Sequence, residues 1–503
     1  MKTYLDFMLD ISSDELYKGL LGFGLFSEKI PPLFSSEMFY KYCISNNPKY
    51  QKHWNSFVQY DSMRNTNVVR ELGIPTPMTY QNLCACLRDN WPKLQKHFEK
   101  CTKDQSYNIS RTHLRKMFGT PMLFKMNYEN WKDDGSPEQD LLIGSRYIVR
   151  ADISKCFPSI YTHSLPWALA GKSNAKSKAG KKPEIWYNEI DHMCENCNYG
   201  ETHGLLIGPH ASNLLSEVIL TAIDKELSNK GWKYTRYIDD YTCYVDSFEK
   251  AQLFIVDLNT ELKKYDLSLN DRKTEIEELP IAVTKQWKRQ VENTKPFYRN
   301  GSFDYKSARS YFDNAIEIMQ KNSENAAILN YAIKSIPVED MTEQAKKLCV
   351  KTFFHLCLLY PYLVHIMDEF VFERLAVSQD DIEAFTNQLY TQELAVKNYD
   401  AVCYALFFAR KYGFCISSLS SRDAIESNSC IFKLLAFLVF KAQKNDRERK
   451  ALRDHALQLK TIAEDLERNW LFVYEVLPQS ELPGDWKTMK NDKISFIKEA
   501  YQV

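Results

Sequence analysis

The amino-acid sequence predicts an α+β fold, a mixed helix-and-strand region followed by an all-helical one. Up to about residue 290, strand-like and helical segments alternate. Beyond about residue 300, apolar residues recur at helical spacing in one segment after another. Glycine is scarce, 16 of 503 residues, which argues against a loop-rich or Gly-cradled nucleotide fold. A chain of this length has room for roughly two to four domains, each with a sizeable core.

Taken in order, "MKTYLDFMLDISSDELYKGL" carries acids inside its apolar pattern and lacks the basic start and unbroken apolar stretch of a secretory signal. Strands are predicted at "RYIVRADI" (146–153), "WKYTRYI" (232–238) and "YTCYVDS" (241–247), which are rich in Tyr, Ile, Val and Thr. Between them, "GLLIGPHASNLLSEVIL" (204–220) reads as a Gly/Pro turn running into an amphipathic helix, with Ser212 at its start. The helical half begins with "SARSYFDNAIEIMQKN" and continues through "DAVCYALFFARKYG" and "CIFKLLAFLVFKAQKN". Pro361 interrupts one of its helices and Gly413 stops another. Paired helices stacked in a HEAT-like solenoid and a compact bundle both fit this pattern.

Several functions are disfavoured by composition. Basic and acidic residues balance at 65 each, so overall charge predicts no nucleic-acid binding and only local patches remain. The longest apolar run, "LLAFLVF" (434–440), is too short to span a bilayer and is flanked by Lys433 and Lys441, so no membrane partner is expected. The 13 cysteines follow no framework spacing and read as reduced thiols of a cytoplasmic protein. Cys194 and Cys197 in "HMCENC", near His192 and His203, admit a zinc site, but the second Cys pair of a strong motif is missing. The run 441–460 reads as a solvated helix face. The lysine-rich "GKSNAKSKAGKK" (171–182) reads as a flexible loop or as a phosphate-contacting one.

The chemistry concentrates in "KYTRYIDDYTCYVD" (233–246). Asp239 and Asp240 lie side by side between two strand candidates, which places them at a hairpin turn. Upstream, "YIVRADISKCFPSIYTHSL" (147–165) leads a strand into Asp152, and the aromatic Phe157 follows five residues later. Downstream, "YDLSLNDRKTEIEEL" (265–279) contains Lys273. Three carboxylates from two strands can meet on one sheet, and such a cluster is costly unless a cation neutralises it. Hard divalent ions suit it, because Mg²⁺ takes one or two carboxylates and shares its remaining sites with phosphates. Two such ions stabilise the attacking and leaving oxygens of an in-line phosphoryl displacement.

The order "ADISKCF", Gly-Pro turn and helix, "YIDD", "LNDRKT" resembles the palm of reverse transcriptases across roughly residues 60–285. The resemblance implies that Asp152, Asp239 and Asp240 hold two Mg²⁺ ions, with Mn²⁺ as an alternative and the Ile153 carbonyl as an extra ligand. It makes Phe157 the steric gate against a ribose 2′-OH, so dNTPs are the expected substrates. It sets Lys273 against the triphosphate or leaving pyrophosphate. It places Gly208 beside the template–primer pair and makes Arg70, in the fingers-like "RELGIPTPMTYQNL" (70–83), a triphosphate contact. The implied division is 1–60 an N-terminal helical extension of the fingers, 61–150 fingers, 151–290 palm and 291–503 a helical HEAT-like domain.

One departure stands out. Templated relatives carry G-x-P-Q-G in the middle motif, whereas this chain has "GLLIGP", with Ile207 in the Gln place. With "EKIPPLFSSEMFYKYC" (28–43) and "SLPWALAGK" (164–172), the chain resembles the bacterial abortive-infection reverse transcriptases, the AbiK-like family. That resemblance implies phage defence, template-independent DNA synthesis primed on a Tyr hydroxyl, a single-stranded DNA product that stays covalently attached, and a homo-oligomer. Which of the 30 tyrosines primes is not legible. The competing readings are a templated RNA-directed DNA polymerase of a retron or mobile element, and a helical scaffold with a vestigial palm.

Overall fold

A computed structural model of the chain describes residues 2–66, 68–125, 134–178, 185–282, 286–294, 302–323 and 325–502. Its central feature is a four-stranded sheet in the order β4-β5-β3-β6, formed by β3 (Tyr147–Asp152), β4 (Tyr234–Tyr237), β5 (Asp240–Val245) and β6 (Glu275–Glu278). All neighbouring pairs are antiparallel. The β-branched and aromatic residues that predict β3 and β5 alternate between two covered faces. Val149, Ala151, Tyr241 and Cys243 belong to the main core, whereas Ile148 and Tyr244 pack with Leu141 in a small cluster on the other side. Each fully buried aliphatic side chain of this kind contributes about 1.5–3 kcal/mol.

Behind the sheet runs the long helix His210–Asn229, which the turn at Gly208-Pro209 starts as expected. Its Leu214, Leu215, Val218, Ile219 and Leu220 are almost fully buried. A second, two-stranded sheet forms from β1 (Phe57–Met63) and β2 (Val69–Pro75). Alternation in β1 was not read from the sequence, because its polar residues at 59, 61 and 62 mask the buried Val58 and Tyr60.

From Gln286 onward, every described element is helical. Side chains of Asp304, Thr342, Ser378, Ser429 and Asn445 each accept from a backbone N–H three residues on, which fixes where five of these helices start. Gly413 ends the helix Tyr399–Tyr412 in the left-handed conformation at φ 75°, and the helix Glu343–Leu359 stops two residues before Pro361. The run 434–440 is interior to the buried helix Cys430–Ala442. Among the described residues, no helix is long and apolar enough to cross a membrane.

The helical half grips the β1–β2 hairpin. Asp400, 1% exposed, accepts from the Tyr60 hydroxyl at 2.5 Å and from the Met63 N–H at 2.8 Å. Glu467 accepts from the Ser56 N–H at 2.7 Å, and the Trp470 indole donates to the Ile74 carbonyl at 3.2 Å. At the far end, Ser35 N–H donates to Phe496 O and Lys498 N–H to Leu33 O, both at 2.9 Å. One continuous core therefore runs from Tyr4 to Ile497.

One local reading changes. The lysine-rich stretch is not a loop over its first part: Lys172–Lys178 is helical, with Lys172 Nζ 3.7 Å above the Trp167 ring, while 179–184 lies outside the described residues. Alanines and lysines are good helix formers, and the ring gives Lys172 a partner. Twelve of the 13 cysteines are buried, none is disulfide-bonded, and Cys415 is exposed.

Candidate active site

The site forms where β3 ends and the β4–β5 hairpin turns. Register places Asp152 directly opposite Asp240 and pairs Tyr237 with Asp240. The two turn residues are therefore Ile238 and Asp239, one position earlier than the sequence suggested, and Asp240 already belongs to β5. Ile238 holds φ 57°, a left-handed conformation that costs roughly 1–2 kcal/mol for a residue with a Cβ. The Ile153 N–H donates to the Asp239 carbonyl at 3.1 Å and ties the two strand ends together.

Carboxylate oxygens of Asp152, Asp239 and Asp240 lie within 4.8 Å of one another. Asp152 is buried, Asp239 is half-buried and Asp240 is exposed. Burial, and then the Asp152 charge, push the Asp239 carboxyl above its ordinary range. Although Asp240 reaches solvent, the protein around it withdraws water, and with Asp239 and Asp152 beside it the carboxyl is pushed up to about 6. Like charges on directly opposed strand residues are destabilising. Only partial compensation is present: Lys273 Nζ lies 3.0 Å from Asp152 Oδ2, and the Asn270 amide donates to the same oxygen at 2.9 Å. Arg70, exposed on β2, and Lys273 both act to lower the Asp239 carboxyl. This crowded set of hard oxygen donors is chemically suited to divalent magnesium or manganese.

Phe157 is half-buried in the short helix Cys156–Ser159, which follows Lys155 at φ 45°. Its carbonyl accepts from the Leu205 N–H at 2.9 Å, and Thr162 N–H donates to Thr202 O at 2.8 Å, so the stretch after Asp152 runs beside the Gly204–Pro209 loop. Gly208 adopts φ 125°, a conformation that side chains rarely take. Ile207 O accepts from the Gly73 N–H at 3.0 Å, and a Cβ on Gly73 would meet Leu206 Cδ2 at 2.8 Å. The loop is thus stitched closely to β2, and the Ile207 side chain packs against the core. An apolar side chain in this place has no group with which to hydrogen-bond a nucleic-acid backbone.

Sequence reasoning missed what supports the turn. Arg236, 0% exposed, bonds Glu217 Oε1 at 2.7 Å and Asp224 Oδ2 at 2.6 Å, both from the helix His210–Asn229. The same guanidinium donates to the Ile238 carbonyl at 2.9 Å, clamping the left-handed turn residue next to Asp239. Tyr4 and Tyr234 hydroxyls donate to Glu217 and Asp224 at 3.1 and 3.0 Å. A charge in the middle of an aromatic strand was the available signal. Asn270, beside Lys273, was also missed. Among the described residues, Cys194 and Cys197 join no metal-type cluster with His192 and His203. They are buried, and burial pushes the Cys197 thiol up to about 12.

Residues 90–307 match the family model of reverse transcriptase (RNA-dependent DNA polymerase). That segment supplies Asp152, Asp239, Asp240 and Lys273, and it supports nucleotidyl transfer as the chemistry of the site. No curated protein matches the chain. Among solved structures, a telomerase from Candida albicans, solved with a TWJ fragment of telomeric RNA, is similar at 11% identity and TM-score 0.30, over 70% of this chain and 68% of that one. An apo telomerase from Candida tropicalis is similar at 12% identity and TM-score 0.32, over 75% and 68%. Both likenesses are weak.

Proposed function

We propose that the chain is a DNA polymerase of phage defence that adds dNTPs without a template, primed by a hydroxyl of its own tyrosines. The observation that carries the catalytic part is the gathering of Asp152, Asp239 and Asp240 within 4.8 Å, with Lys273 at 3.0 Å from the first. Asp152 and the hairpin aspartates would hold the divalent ions, which supply charge neutralisation and polarise the attacking and leaving oxygens. Lys273 reaches the same space and binds the triphosphate. Arg70 adds positive charge from the hairpin side. Phe157 closes the sugar site against a 2′-OH and thereby selects deoxynucleotides.

The untemplated part rests on the resemblance to abortive-infection enzymes and on the middle motif. The loop that would lie beneath a template–primer pair is packed on β2 through Gly73, with Ile207 in the Gln place. Covalent attachment of the single-stranded product, a homo-oligomeric state, a HEAT-like helical half and cytoplasmic action belong to the same proposal. Many tyrosines are unsuited to priming because they are buried: Tyr60, Tyr80, Tyr234, Tyr241 and Tyr404 are each under 5% exposed.

The test is purified protein with Mg²⁺ and single labelled dNTPs, without nucleic acid, run on a denaturing gel. Labelled DNA that migrates with the protein, and a DNA-bearing tyrosine peptide by mass spectrometry, are expected. Synthesis that depends strictly on an added template–primer would overturn the untemplated reading in favour of a retron-type templated enzyme.

A further inference from the structure

Outside the aspartate site, a second group of ligand-type side chains comes together. His163 precedes the helix Ser164–Ala170, and Asp191 and Glu195 lie one turn apart on the helix Trp186–Cys197. Their donor atoms lie within 4.8 Å of one another. His163 Nδ1 is 2.7 Å from Asp191 Oδ2 and 3.5 Å from Glu195 Oε1. His192 Nδ1 stands 3.6 Å from the other Glu195 oxygen. Asp191 is 8% exposed, and its Oδ1, in the same carboxylate that faces His163, is buried without a hydrogen-bond partner.

We propose that His163, Asp191 and Glu195 form a binding site for one divalent transition-metal ion of the zinc type. Zn–N and Zn–O bonds of about 2.0–2.2 Å put neighbouring donors roughly 3–3.5 Å apart. Glu195 Oε1 stands at 3.5 Å from His163 Nδ1, and the 2.7 Å contact between His163 and Asp191 is a hydrogen bond that the ion would replace. One imidazole with two carboxylates suits zinc-class ions better than an all-oxygen magnesium site. The ion gives the orphaned Asp191 oxygen a partner and neutralises two adjacent carboxylates whose facing groups, His163 and His192, are charged only when protonated. It also clips together two segments 28 residues apart in sequence. The stretch it anchors follows the helix that carries Phe157. The sequence places a zinc expectation on Cys194 and Cys197, but the helix turns those thiols into the core and presents Asp191 and Glu195 to His163 instead.

The site stands independently of the polymerase reading, so it is tested in full-length protein carrying Asp239→Asn and Asp240→Asn. Isothermal titration with Zn²⁺, and visible absorption on titration with Co²⁺, should both show one equivalent bound. His163→Ala and Glu195→Gln, each checked for native circular dichroism, should weaken that binding by at least about tenfold. Zn²⁺ should raise the melting temperature of the parent and not of these variants. Cys194→Ser should bind Zn²⁺ as the parent does. Absence of a Zn²⁺ equivalent in the parent, or binding unchanged in both cluster variants, overturns the proposal. Loss of binding in Cys194→Ser alone overturns it equally.

Discussion

Two charge clusters flank the same hairpin turn and are solved in opposite ways. On one side Arg236 is sealed between Glu217 and Asp224 with every strong donor matched, at 0% exposure. On the other side Asp152, Asp239 and Asp240 crowd at the strand ends, from the buried Asp152 out to the exposed Asp240, and the exposed Lys273 stands 3.0 Å from Asp152. Inside the protein an uncompensated charge is too costly, so the ion pair is completed by the chain itself. At the strand ends the chain relieves the repulsion only in part, through Lys273 and Asn270, and leaves the cluster open to a cation from solution. The contrast separates a charged cluster completed within the fold from one left partly open, although their carboxylates are chemically alike. Arg236 links the two, since it also clamps the Ile238 carbonyl next to Asp239.

The sharpest way to break this contrast is to remove charge from each side in turn. Asp239→Asn should abolish nucleotide addition by about 10⁴-fold or more, equivalent to roughly 5.5 kcal/mol in the barrier. It should leave the fold intact, or stabilise it by about 0.2–1 kcal/mol by relieving like charge. A radiolabelled dNTP assay beside a urea melt measures both. A folded-state loss as large as the loss of activity would erase the distinction.

Next in size is Arg236→Met. It leaves Glu217 and Asp224 facing one another without their cation, and should cost about 3–5 kcal/mol of stability. A urea midpoint close to that of the parent would show that the buried network is not structural. If soluble protein is recovered, activity should fall too, because the left-handed turn has lost its clamp.

The smallest expected effect is a pH dependence. Asp240 has its folded carboxyl raised to about 6, against an ordinary value near 4. Below that ordinary value the site is protonated in both states, and its favourable contribution is fully present. As pH rises through about 6, the folded protein must take on the extra negative charge, and that contribution is lost. Metal-free protein should therefore melt at a higher temperature at pH 5 than at pH 7 as far as this site is concerned, and Asp240→Asn should flatten that part of the profile. Mg²⁺ should raise the melting temperature at pH 7 and do little at pH 5. A Mg²⁺ effect larger at pH 5 would mean that the aspartates do not hold the ion.

Much of the carboxylate cluster was legible because its donors sit on short local patterns. A strand running into Asp152, a hairpin carrying Asp239 and Asp240, and Lys273 shortly before β6 each announce themselves within about ten residues of chain. The register of the turn was not legible: Ile238 is a poor residue for φ 57°, so local preference pointed one position too late. Arg236 looked like a strand charge because its partners come from a helix whose placement behind the sheet no local pattern encodes. The β1–β2 hairpin was also missed, since what makes its polar strands stable is Asp400, Glu467 and Trp470 from the far end of the chain.

Sequence alone determined the division into a mixed part and a helical part, and the identity of the three carboxylates that gather at the strand ends. Both follow from periodicity and from spacing within single elements, which depend on a few neighbouring residues. Tertiary structure decided which charges are neutralised, where the turn falls, and that His163, rather than a cysteine, faces Asp191 and Glu195. Those outcomes depend on long-range packing, because a carboxylate's character is set by what folds against it and how much water remains.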